Sequence, residues 1–138
     1  MRIAYSTYAL QEVDPFEAVE RVKTIGYEGL ELNCGADWPT APERFGEDAR
    51  KRMVDAYQAA GFPSPVMMNL IHLCAHGENV EEKRSQLKAT CRLARDLCSE
   101  DGPSVVTTTL GKQPNGWGQD KEMVAEKLRP YAELAADH

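Results

Sequence analysis

Two polar residues close a short apolar run. In Gly29-Leu30-Glu31-Leu32-Asn33, Leu30 and Leu32 alternate with Glu31 and Asn33, the period of a strand with one apolar face. A carboxylate inside such a strand needs a partner, because an isolated buried charge is strongly disfavoured. In α/β folds the chemistry sits at the carboxyl ends of the strands. Glu31 and Asn33 are therefore the first residues to suspect of chemistry. The competing reading is a structural ion pair between Glu28 or Glu31 and a nearby Lys or Arg.

His72 closes another apolar run, Val66-Met67-Met68-Asn69-Leu70-Ile71. A neutral imidazole at a strand end hydrogen-bonds a hydroxyl or assists proton movement. The alternative is a loop histidine bonded to backbone. His72 and His76 have the i,i+4 spacing that a metal uses on a helix, but Gly77 and the strand exit read as loop. The glutamate of a zinc-protease motif is missing, and two histidines with Cys74 make at most three ligands. No metal site is expected from them.

Tyr5, Ser6 and Tyr8 stand at the end of the first strand, and each either shapes a pocket or serves the core or the surface. Trp38 stands in a long loop, where an aromatic either covers a ligand or tucks onto the core. Lys112 and Trp117 lie on a late polar loop. Lys112 would meet a phosphate or carboxylate, or simply stay solvated, and Trp117 is taken as a substrate contact.

The cysteines Cys34, Cys74, Cys91 and Cys98 form no CxxC pair. Cys91 and Cys98 are roughly 10 Å apart on one helix face, too far for a disulfide. They read as small core residues. Cys34 and Cys74 follow strands and are either core or site-lining.

These residues are carried by a regular alternation of elements. A first strand covers 2–6. Asp14-Pro15-Phe16-Glu17 opens a helix, with Asp14 as N-cap, Pro15 at the first position and Glu17 as the reciprocal capping partner. Gly26 ends it in a left-handed conformation, and a second strand spans 28–33. The stretch 34–47 is loop, broken by Gly35, Pro39, Pro42 and Gly46. A helix over 48–60 stops at Gly61. Strand three precedes a helix that Asn79 caps and that runs to about Ser99. A turn at Asp101-Gly102-Pro103 leads to strand four, 104–110, rich in β-branched residues. A last helix begins near Asp120, and Pro130 is expected to kink or split it.

Strict β–α alternation predicts an α/β fold with a parallel sheet and helices packed on it. The longer strand-to-helix loops put the working face at the strands' carboxyl ends.

The 138 residues suffice for one domain, with 42% hydrophobic and 28% charged residues. The net charge of −6 opposes binding to phosphate backbones. No apolar run approaches the ~20 residues of a membrane span, and Met1-Arg2-Ile3-Ala4-Tyr5-Ser6 lacks a signal-peptide core. A cytoplasmic protein, binding neither nucleic acid nor membrane, is the expectation.

The opening strand Arg2-Ile3-Ala4-Tyr5-Ser6, the triplet spacing of Phe16, Val19 and Val22, and above all Gly26-Tyr27-Glu28-Gly29-Leu30-Glu31-Leu32 carry a resemblance. The last matches a Gly-aromatic-acid-Gly-aliphatic-Glu-aliphatic second strand. Gly61-Phe62 and Gly111 are weaker echoes. Together they resemble the sugar phosphate isomerase/epimerase superfamily, the xylose isomerase-like TIM barrels. The likeness spans essentially the whole chain but only half of that barrel, which needs about 250 residues.

What the resemblance implies is four of eight (β/α) units, residues 1–138 being the N-terminal half of a barrel domain. It implies proton transfer beside a carbonyl of a sugar, sugar phosphate or polyol. It also implies a divalent metal (Mn, Mg, Co or Zn) whose ligands, with the catalytic carboxylates, lie on strands five to eight, beyond residue 138. The chain alone is then expected to be inactive. Glu31, Asn33, His72, Tyr5 and Trp117 are expected to bind a small carbohydrate.

Three alternatives stand beside it. One is a non-enzymatic half-barrel that pairs with itself or with a second half-barrel, since its edge strands would be open. Another is an apurinic endonuclease-like barrel, opposed by three histidines in all and by the acidic balance. The third is a flavodoxin-like fold, which usually has a fifth strand and a phosphate-cradling loop.

Overall fold

The computed structural model of the chain describes residues 3–75, 79–98, 105–113 and 115–138. Its elements are β1 (Ala4–Ser6), a 3₁₀ turn (Thr7–Ala9), α1 (Pro15–Ile25), β2 (Gly29–Asn33), α2 (Glu47–Ala60), β3 (Val66–His72), α3 (Val80–Asp96), β4 (Val105–Thr109) and α4 (Trp117–Ala136). The four strands form one all-parallel sheet in the order β1-β2-β3-β4. The fold is α/β, as the alternation predicts.

Local chemistry sets the boundaries. Asp14 caps α1 by accepting from the N–H groups of Phe16 and Glu17 at 2.9 and 3.2 Å, and Pro15 fits the first turn, where no N–H is needed. Glu17 does not return the cap. Its carboxylate takes Arg21 one turn on, a pair the i,i+4 spacing favours. Gly26 and Gly61 end α1 and α2 at φ 105° and 70°. Asn79 caps α3 through Glu81 and Glu82 N–H. α4 starts at Trp117, earlier than expected, and runs through Pro130 as one helix. The expected turn at 101–103 and residue 104 of strand four lie outside the described residues.

The sheet has two unlike faces. Ladder partners in a sheet share a face, so Tyr5, Leu30, Leu32, Met67 and Val106 lie together. Leu30, Leu32 and Met67 are fully buried with Val19 and Val22 of α1, Met53 and Tyr57 of α2 and Leu93 of α3. A second cluster joins Ile71 and Cys74 to Leu87 and Cys91 of α3 and Val124 and Tyr131 of α4, with Val106 packed against both. All four helices thus bury their apolar sides on this one face. Sequential strand order and right-handed crossovers require that arrangement, whereas a doubly wound sheet reverses its order and carries helices on both faces.

The opposite face carries Ser6, Glu31, Asn33, Val66, Met68, Thr107 and Thr109 by the same register. Val105 and Leu70 on that side remain 53% and 44% exposed. No described helix is long and apolar enough to cross a membrane.

Candidate functional site at the carboxyl ends of the strands

The turn after β1 ties the first two strands together. Ser6 Oγ donates to Glu31 Oε1 at 2.7 Å and accepts from Tyr8 N–H at 3.2 Å. Glu31 therefore has a hydroxyl partner rather than the Lys or Arg of an ion pair. Thr7, buried beneath the turn, accepts from the Asn33 N–H at 2.7 Å through its Oγ1. The turn thereby fixes the height of Asn33 at the end of β2.

Asn33 is 2% exposed and heavily bonded. Thr40 Oγ1 donates to its carbonyl oxygen, and its Oδ1 accepts from Gly35 N–H at 3.0 Å. Its Nδ2 group donates to no described group, and the residue lines a cleft of about 330 Å³. That group keeps some contact with solvent, since it is not one of the buried atoms left without a partner. Here the cleft is what it faces.

The stretch after β2 is built, not loose. Turn bonds join Trp38 N–H to Gly35 O and Ala41 N–H to Trp38 O at 2.9 and 3.0 Å. Arg50 of α2 holds its far end, donating to Phe45 O at 2.6 Å and Pro42 O at 2.8 Å while pairing with Asp96 at 2.5 Å. Trp38 is thereby stacked against Tyr8, centroids 6.0 Å apart at 25°. A side chain on Gly35 would come within 3.3 Å of the Trp38 ring, so glycine lets the indole pack this close. Tyr8, Trp38, Glu43, Asn69 and Gln86 line the cleft with Asn33. Asn69 is oriented by donating through Nδ2 to Thr90 Oγ1 at 2.9 Å, which leaves its Oδ1 as the acceptor group.

Cys34 is part of the cleft floor but also of the core. Burial pushes its thiol up to about 12, the Glu43 carboxylate pushes the same way, and the Thr90 side chain pulls it down. Such a thiol is inert as a nucleophile.

A second depression adjoins the first and shares Leu70 and Gln86 with it. His72, Asn79, Glu82 and Lys83 line it. His72 ends β3 beside Thr109, after an irregularity in the β3–β4 ladder between Met68 and His72; such bulges re-aim side chains near sites. Lys83, 4% exposed, donates to the carbonyls of His72 and Ala75 at 2.6 and 3.2 Å, pinning the chain as it leaves the strand. Gly111 packs against the chain leaving β3 at φ 77°, where a Cβ would stand 2.9 Å from Ala75 Cβ and 3.1 Å from His72 Cβ.

The candidates thus separate. Asn33 and Tyr8 meet at the cleft, Glu31 is bonded beneath it through Ser6, and His72 borders the adjoining depression. Tyr5 lies on the helix-covered face, edge-on to Tyr27 at 5.2 Å. Trp117 is 62% exposed at the start of α4 and does not line this cleft. Lys112 is exposed, and His76 lies outside the described residues. Glu43, Asn69 and Gln86 had no sequence signal, because only the packing of α3 against β3 and the loop brings them in.

Among the described residues, no three His, Cys, Asp or Glu side chains gather to hold a metal ion. The resemblance places the ligands of its divalent metal beyond residue 138, outside these residues. No family model matches the chain, and no curated protein matches it.

Proposed function

We propose that this chain forms the substrate-facing wall of a sugar, sugar-phosphate or polyol isomerase or epimerase built on a (β/α) barrel. One observation carries the reading: a parallel sheet in unbroken sequential order with every described helix on one face. Its polar groups gather at the carboxyl ends, where barrel enzymes place their sites. Asn33 Nδ2 donates to a ligand hydroxyl or carbonyl oxygen. The Tyr8–Trp38 pair packs against the ligand's carbon skeleton, and Glu31, set by Ser6, lines the sheet face below. His72 serves a neighbouring hydroxyl. The carboxylates that move the proton beside the carbonyl, and the metal, are contributed by other residues.

The test is saturation-transfer NMR on the 138-residue chain with fructose and xylose, repeated with Asn33→Ala. The expected result is transfer from aromatic protons to the sugar, weakened at least about fivefold in the variant, as loss of one hydrogen bond gives. Isomerisation is expected to be absent with or without added manganese. No transfer, or turnover by these residues alone, contradicts the wall reading.

The exposed sheet face favours a second reading, a module that associates through that face. All-parallel sheets are almost always covered on both sides, and Leu70 and Val105 are open here.

A further inference from the structure

We infer that the cleft beside Trp38 selects an uncharged polyhydroxylated ligand, a free sugar or polyol, and that Glu43 turns phosphorylated ligands away. The inference rests on the wall reading and narrows its substrate. Phosphate sites are built from arginine or lysine, or from helix N-termini and nests of backbone N–H groups. The described residues lining this cleft include no lysine, arginine or histidine. They offer an aromatic pair, the Asn33 amide donor, the Asn69 and Gln86 amides and the Glu43 carboxylate.

That set suits hydroxyl groups. A hydroxyl both donates and accepts, so it satisfies Asn33 Nδ2 on one side and an Asn69 or Glu43 oxygen on the other. Aromatic faces take the apolar side of the carbon skeleton, the usual lining of small-ligand clefts. The cations of the neighbouring depressions do not line this cleft. Arg50 and Arg92 border a separate depression that shares Pro42 and Glu43. Arg50 is committed to Pro42, Phe45 and Asp96. Lys83, in the adjoining depression, is held by two carbonyls. A doubly charged phosphate entering here meets a carboxylate on a chain of net charge −6, a repulsion that salt screens.

The test uses Trp117→Phe, which leaves Trp38 as the sole tryptophan. Its emission is titrated with fructose and with the phosphate monoester of fructose at low salt. The inference predicts saturable binding of fructose and at least about fivefold weaker binding of the ester, as modest exposed-charge repulsion gives. Glu43→Gln is expected to bring the two within about twofold, and added salt to do the same. Equal or tighter binding of the ester, or a gap that Glu43→Gln leaves intact, overturns this inference alone. No response to either compound overturns it together with the wall reading.

Discussion

Asn33 shows how neighbouring bonds fix one side chain at a cleft. Its backbone and Oδ1 are fully engaged by Thr7, Thr40 and Gly35, so its remaining N–H groups are held still at the cleft. Pre-positioned donors of this kind bind without losing much freedom. Its place at the end of β2 was legible in the strand alternation of Leu30 to Asn33. Tyr5 was not: β1 is three residues long, and so short a strand does not reveal which alternate set faces the helices. Cys34 supplies a pH prediction. The unfolded thiol ionises near pH 9, whereas the buried one keeps its proton to about 12. Above pH 9 the unfolded state therefore binds fewer protons, and stability falls as pH rises. The slope is about 1.4 kcal/mol per pH unit for one such group, and buried Tyr57, whose hydroxyl is also pushed up by burial, steepens it further. Circular dichroism melts from pH 8 to 11 on the chain and on Cys34→Ala read this, and a shallower alkaline loss in the variant is expected.

At the scale of elements, caps and glycines were readable because each acts through its own backbone. Asp14, Gly26, Asn79 and Gly61 stop or start helices where their chemistry requires. The fate of Glu17 and the continuity of α4 through Pro130 were not readable, since neighbouring side chains and packing decide them. Two glycines at positive φ make a paired prediction. A Cβ on Gly26 meets nothing within 4 Å, whereas one on Gly111 strikes Ala75 and His72. Gly26→Ala is expected to cost about 1 kcal/mol, the backbone penalty alone. Gly111→Ala is expected to cost roughly 1–3 kcal/mol more, as overpacking does, and to shift the His72 resonances. Urea unfolding and histidine NMR measure both, and equal costs would mean that the loop after β4 yields freely.

For the whole molecule, the α/β class and the parallel sheet followed from alternation alone. The cleft did not, because Trp38, Asn69 and Glu43 meet only once the loop after β2 is clamped by Arg50 and packed near α3. The open face and the edges of β1 and β4, which pair with no further described strand, bear on association. Both edges run in the same direction, so β4 of one copy can pair in parallel with β1 of another, and a two-fold repeat makes eight strands, the number of a closed parallel barrel. Light scattering at micromolar concentration tests this second reading. A dimer supports it, and a folded monomer contradicts it.

The central claim is that the carboxyl-end cleft holds a polyhydroxylated ligand between Trp38 and Asn33. A crystal structure of the chain grown with fructose tests it most directly. The account predicts the sugar lying against the Trp38 ring with one oxygen within hydrogen-bond reach of Asn33 Nδ2, on a sheet with helices on one face. Sugar bound elsewhere while this cleft stays vacant, or a sheet with helices on both faces, would contradict it.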